Sequence, residues 1–136
     1  MTTTEFFVPG LPAPKGSTRA FLNRYTGRVA VVADNRATQK AWQSSVTTIA
    51  RIYYKEPVRT AVKVGLVFDM PRPKSLPKRV VDHLKKPDLD KLTRCVLDGL
   101  TGVVYVDDSQ VNGFLGIAKR YATPGLGPGC KITVWA

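Results

Sequence analysis

KPDLDKLTRCVLDGLTGVVYVDDSQV, residues 86–111, contains a helix start, a helix stop and two pairs of acids. Pro87 disfavours helix at Lys86. Leu89, Leu92, Val96 and Leu100 then recur at three- and four-residue spacing, an apolar stripe that predicts a short helix over 88–100. Asp88 and Asp90 place acid at its start, and Gly99 and Gly102 read as its stop. Val103 to Val106 reads as a β-type run ending in Asp107-Asp108-Ser109. Two acids opening a helix and two closing the next strand are expected to converge on one end of a sheet. Taken singly, each pair has a plainer role: Asp88 and Asp90 as helix caps, Asp107 and Asp108 as a polar turn.

The same stretch runs against the charge of the whole. The chain has 136 residues, 21 Lys plus Arg against 10 Asp plus Glu, and a net charge of +11. Five of the acids and only two bases, Lys91 and Arg94, fall between Asp88 and Asp108, so that window carries −3 and the remainder +14. Excess positive charge on this scale points to a polyanionic partner. Concentrated carboxylates repel such a partner unless a cation lies between them. Hard divalent ions such as Mg²⁺ take oxygen ligands, keep several waters and are held by a few carboxylates plus substrate phosphate. The further oxygen ligands and terminal Glu of an EF-hand are missing.

Working outward, residues 5–8 read as a strand ended by the proline-rich segment 9–14. Ala20 to Arg24 and Arg28 to Val32 flank Tyr25-Thr26-Gly27 as a hairpin. Asp34 or Asn35 caps a helix to about Tyr54, with Trp42, Val46, Ile49, Ala50 and Tyr53 on its apolar face. Arg59 to Met70 alternates as a long strand expected at the sheet centre. Residues 71–87 hold four prolines, six bases and one acid. This is a loop whose charge suits phosphate contact, with a solvated linker as the alternative. Val111 to Tyr121 and Lys131 to Trp135 are two more strands, separated by a turn-rich connection. The expectation is one α+β domain over 1–136, a mixed or antiparallel sheet packed against two helices.

Other classes recede. The N-terminus lacks the charged and apolar regions of a signal peptide and no run approaches a membrane span, so a cytoplasmic protein with no membrane partner is expected. Cys95, Cys130 and the single His83 supply no zinc or redox ligand set, and Cys95 is expected in a core.

With these residues in view, Lys86-Pro87-Asp88-Leu89-Asp90-Lys91-Leu92, then Leu97-Asp98-Gly99-Leu100-Thr101-Gly102, then Asp107-Asp108-Ser109-Gln110-Val111 resembles the RusA family of Holliday junction resolvases. That pattern is K-P-D-x-D-N-L, L-D-x-L-x-G and D-D-x-Q-V. Pro12-Ala-Pro-Lys15-Gly16, the hairpin, the Trp42 helix, the long strand and the basic loop are similar in order to phage-type members. The resemblance implies a RusA-like fold and a Mg²⁺-dependent endonuclease, with Mn²⁺ as a substitute. It implies a homodimer making paired nicks in four-way or other branched DNA. It also implies metal binding by Asp88, Asp90 and Asp108, with Asp107 as the less direct member of its pair.

Two positions depart from the pattern. Lys91 replaces an Asn, and the catalytic lysine position falls at Arg94. Either Arg94 or Lys91 is expected to supply the catalytic cation, with Asp98, four residues on, orienting Arg94. DNA contacts are expected from Lys15, Arg19, Arg24 and Arg28 around the hairpin. Arg72, Lys74, Lys78, Arg79, Lys85 and Lys86 of the basic loop are expected to add to them. The rival readings are a nuclease for other branched DNA and a non-catalytic basic nucleic-acid-binding protein.

Overall fold

Val62, Val64, Leu66 and Phe68 are fully buried, while Lys63 and Val67 between them are only half-buried. This two-residue period is that of a strand with one face in a core. The computed structural model describes residues 1–16, 18–22, 27–33 and 36–136. Its strands are β1 (Thr3–Pro9), β2 (Thr18–Leu22), β3 (Val29–Ala33), β4 (Val62–Met70), β5 (Val111–Tyr121) and β6 (Gly129–Trp135). Its helices are α1 (Arg36–Tyr53) and α2 (Leu89–Leu100), with a 3₁₀ turn at Asp108–Gln110.

Four strands form one sheet in the order β1-β6-β4-β5, and β2 and β3 form a separate antiparallel hairpin. β6 runs antiparallel to both its neighbours, whereas β4 and β5 are parallel, from Val62 opposite Val111 to Met70 opposite Tyr121. A parallel pair needs a crossover, and α2 lies within the connection between the two strands. One core joins Phe6, Val64, Phe68 and Ile132 of the sheet to Trp42 and Val46 of α1 and Leu92 and Val96 of α2. The architecture is therefore the expected α+β domain with a mixed sheet.

Four details differ from expectation. The long strand starts at Val62 instead of Arg59. Gly99 does not stop α2, which continues to Leu100. A Cβ at Gly99 would lie 3.0 Å from Val46 Cγ1 and 3.1 Å from the Gln43 carbonyl, so glycine here lets α1 and α2 approach closely. The β-type run Val103–Val106 forms no strand. Gly102, at φ +83°, reverses the chain, and Val103, Val104 and Tyr105 fold back as a buried turn. Tyr53 is half exposed, although its ring stacks on Phe6 at 4.9 Å. The Tyr25-Thr26 turn and the Asp34/Asn35 cap lie outside the described residues.

Candidate active site

At the start of α2, Asp88 occupies the N-cap in extended conformation, yet its side chain makes no capping hydrogen bond. Its carboxylate lies 3.6 Å from Lys86 Nζ. Asp90 is exposed in the first turn, and its carboxylate has no hydrogen bond or ion pair among the described residues. Neither carboxylate is engaged in capping.

The basic loop before α2 is fastened to β5. Lys119 Nζ donates to the carbonyls of Lys85 at 2.6 Å and Pro87 at 3.0 Å. The Arg72 guanidinium lies 5.1 Å from the centre of the Tyr121 ring and donates to the Pro77 carbonyl at 2.8 Å. The His83 ring meets the same tyrosine at 4.8 Å. Lys74, Lys78, Arg79, Lys85 and Lys86 are exposed on this fastened loop, and Arg72 is partly covered. A freely solvated linker would lack these anchors.

Segment 11–16 lies against the other side. Lys15 N–H donates to the Lys91 carbonyl at 3.0 Å, and Gly16 N–H donates to Gln39 Oε1 at 2.6 Å. Between this segment and the loop is a cavity of about 630 Å³ whose lining includes Lys15, His83, Lys86, Asp88 and Lys91. Lys15 Nζ reaches Asp98 at 2.8 Å. Asp98 is thus paired with Lys15, and the expected Asp98–Arg94 pair does not form. Lys15 is already tethered beside α2 through its backbone, while Arg94 is exposed.

The opposite end of α2 is built differently. Asp107 caps the 3₁₀ turn and accepts hydrogen bonds from the Ser109 N–H and hydroxyl, which hold its carboxyl below the ordinary value. Gln110 Oε1 accepts from the N–H groups of Val106 at 2.8 Å and Asp107 at 3.0 Å. Its Nε2 donates to the carbonyls of Val58 and Thr60, both at 2.9 Å. Tyr105, fully buried, donates to the Leu97 carbonyl at 2.8 Å, and burial raises its phenol far above the ordinary value. Asp108 is left exposed, without a partner among the described residues.

The two acid pairs do not converge within one chain. Val111, just after the second pair, sits opposite Val62 at one end of β4, whereas Lys119, which binds the loop ahead of Asp88, sits opposite Phe68. Six residues of β4 separate these points, about 20 Å at 3.3 Å per residue. Among the described residues no group of three or more His, Cys, Asp or Glu can hold a metal ion. The cause is local: the 101–106 turn folds back on the end of α2 and never forms a strand leading toward its start.

Of the remaining expected residues, Arg19 lies on β2, Arg28 is exposed after the turn, and Arg24 lies outside the described residues. Cys95 is buried as expected, and burial pushes its thiol up to about 11. Sequence reasoning gave no role to Gln110, Lys119, Tyr121 or His83. Gln110 carried a signal, as the fixed glutamine of D-D-x-Q-V, but the other three carried none.

The family model of endodeoxyribonuclease RusA matches residues 11–134. The chain belongs to the RusA family. RusA enzymes are endonucleases that resolve Holliday junctions, and the chain is an endodeoxyribonuclease of that class acting on branched DNA. The family's nucleases depend on divalent metal, and the binding-only reading falls away. No curated protein matches the chain. Among the described residues no helix is long and apolar enough to cross a membrane.

Proposed function

We propose that this RusA-family chain is a Mg²⁺-dependent, cytoplasmic resolvase that nicks two strands of a four-way junction as a homodimer. Each site would combine Asp88 and Asp90 of one copy with Asp108 of a second. The observation that carries this reading is the distribution of acids. The fold leaves Asp90 and Asp108 without partners and Asp88 only loosely paired, yet it sets them at opposite ends of α2. A two-fold axis passing beside α2 and perpendicular to it would bring the start of one helix to the end of its mate, and would do so twice. A symmetric junction needs two sites.

The donor set is all oxygen, exposed and carboxylate, which suits Mg²⁺. Bound there, Mg²⁺ would lower the pKa of a water and neutralise charge on the phosphoryl oxygens. The chain's own residues do the rest. Lys91 lines the cavity beside Asp88, within reach of a phosphate held there. Arg94, one turn along, stays charged at any working pH, so its contribution is electrostatic stabilisation and not proton donation. Lys78, Arg79 and Lys85 attract the backbone to a region whose acids alone would repel it.

Complementation tests the reading. An Asp90→Asn chain and an Asp108→Asn chain should each be inactive on a synthetic four-way junction with Mg²⁺. Mixed after joint refolding, they should recover metal-dependent cleavage, because one site of each mixed dimer keeps all its acids. No recovery would refute a shared site. Cleavage of flaps with junctions left intact would favour the branched-DNA alternative.

A further inference from the structure

The cavity at the start of α2 holds more than the carboxylate chemistry requires. Pro12, Pro14, Met70, Pro71 and Tyr121 give it apolar walls, with Lys85, Lys86 and Lys91 also in its lining. Its volume of about 630 Å³ is in the range of small-molecule sites, roughly 300 to 1,000 Å³. His83 also lines it, is only 9% exposed, and has a buried Nδ1 with no hydrogen-bond partner. Buried polar atoms are almost always satisfied, so this orphan beneath the cavity wall is a donor or acceptor that a modest turn of the ring would offer to a bound group.

We propose that this cavity takes one unstacked nucleotide of the junction, adjoining the phosphodiester presented to Asp88. A nucleobase has apolar faces and a polar edge, with an anionic phosphate attached. Proline and tyrosine walls match the faces, the lysines match the phosphate, and the His83 ring, turned toward the cavity, would bring Nδ1 to the edge. Burial, with Lys119 nearby, holds the imidazole below its ordinary pKa, so it is neutral and can bond a base in one direction. Extruding a base costs least where stacking is already interrupted, and the exchange point of a four-way junction is such a place. Arg72 and His83, both against Tyr121, brace this wall of the cavity. The inference rests on the junction-nuclease reading and adds to it a nucleotide subsite.

The test uses four-way junctions carrying 2-aminopurine at each position flanking the exchange point in turn, bound to the whole protein with Ca²⁺ in place of Mg²⁺. Wild-type protein should raise the fluorescence at one position, the signature of an unstacked base. His83→Ala should weaken that response about tenfold, the order expected for one lost base-edge contact. Thr38→Trp, an exposed helical position on the cavity's lining, should abolish it by filling the space even if His83→Ala disturbs the loop. A junction that is cut with Mg²⁺ but shows no unstacking at any position overturns the subsite and leaves the nuclease reading standing. A junction that is never cut overturns that reading, while the fluorescence still decides the subsite. Unstacking that survives Thr38→Trp also overturns the proposal.

Discussion

The two ends of α2 obtain available carboxylates by opposite means. At the end, one acid is sacrificed to the turn: Asp107 binds Ser109, Gln110 clamps the turn to Val58 and Thr60, and Asp108 is thereby held outward. At the start, no acid serves the backbone. There Asp88 and Asp90 stand beside a loop whose rigidity comes from Lys119 and Tyr121 on a neighbouring strand. The contrast shows that an aspartate's availability is set by which group satisfies the local backbone. Adjacent acids in one motif can have unlike tasks.

The largest effect should come from the carboxylates themselves. Asp90→Asn should reduce junction cleavage roughly a thousandfold, the equivalent of several kcal/mol of lost metal-assisted stabilisation. Its melting temperature should stay near wild type, because the side chain supports no other group; a large drop would mean the start of α2 resembles its end after all. Gln110→Ala should behave in the reverse way. Stranding the carbonyls of Val58 and Thr60 should cost about 1–2 kcal/mol in urea unfolding.

A pH titration separates the ends further. His83 is held below its ordinary 6.5 by burial and by Lys119, so the unfolded chain takes up its proton first. Stability should therefore fall as pH drops below 6.5 and level off once the folded imidazole is also charged. His83→Phe should flatten that limb of the pH-stability curve. Asp107 is held below the carboxylate range and should contribute no slope there. The smallest effect is expected from Lys15→Ala. Its pair with Asp98 is partly exposed and should be worth under about 1 kcal/mol in unfolding, whereas the salt dependence of DNA binding should shallow by about one unit.

The periodicities of 62–70 and 88–100 were legible because burial on one face imposes a repeat on the residues. The position of β4 followed from its apolar length. Its parallel pairing with β5 did not, since nothing in 111–121 distinguishes one strand direction from another. Val103–Val106 misled because β-branched residues fill a buried turn as readily as a strand, and Gly102 decided between them. The acids were legible as chemistry but not as geometry. Asp88 and Asp108 share a motif, and only the back-folding of 101–106 reveals that one chain separates them. His83 was invisible because a lone histidine has no pattern, and its role depends on Tyr121 and Lys119, which are far from it in sequence.

The order of the sheet also bears on synthesis. Among the described strands, β1 comes first in sequence and pairs only with β6, which comes last, from Thr3 opposite Trp135 to Pro9 opposite Gly129. β4 likewise waits for β6 to cover its second edge. A ribosome must therefore release residues 129–135 before the sheet can close, and contacts this distant in sequence form slowly. A nascent or truncated chain ending before Gly129 has its acids already translated but no completed sheet to carry them.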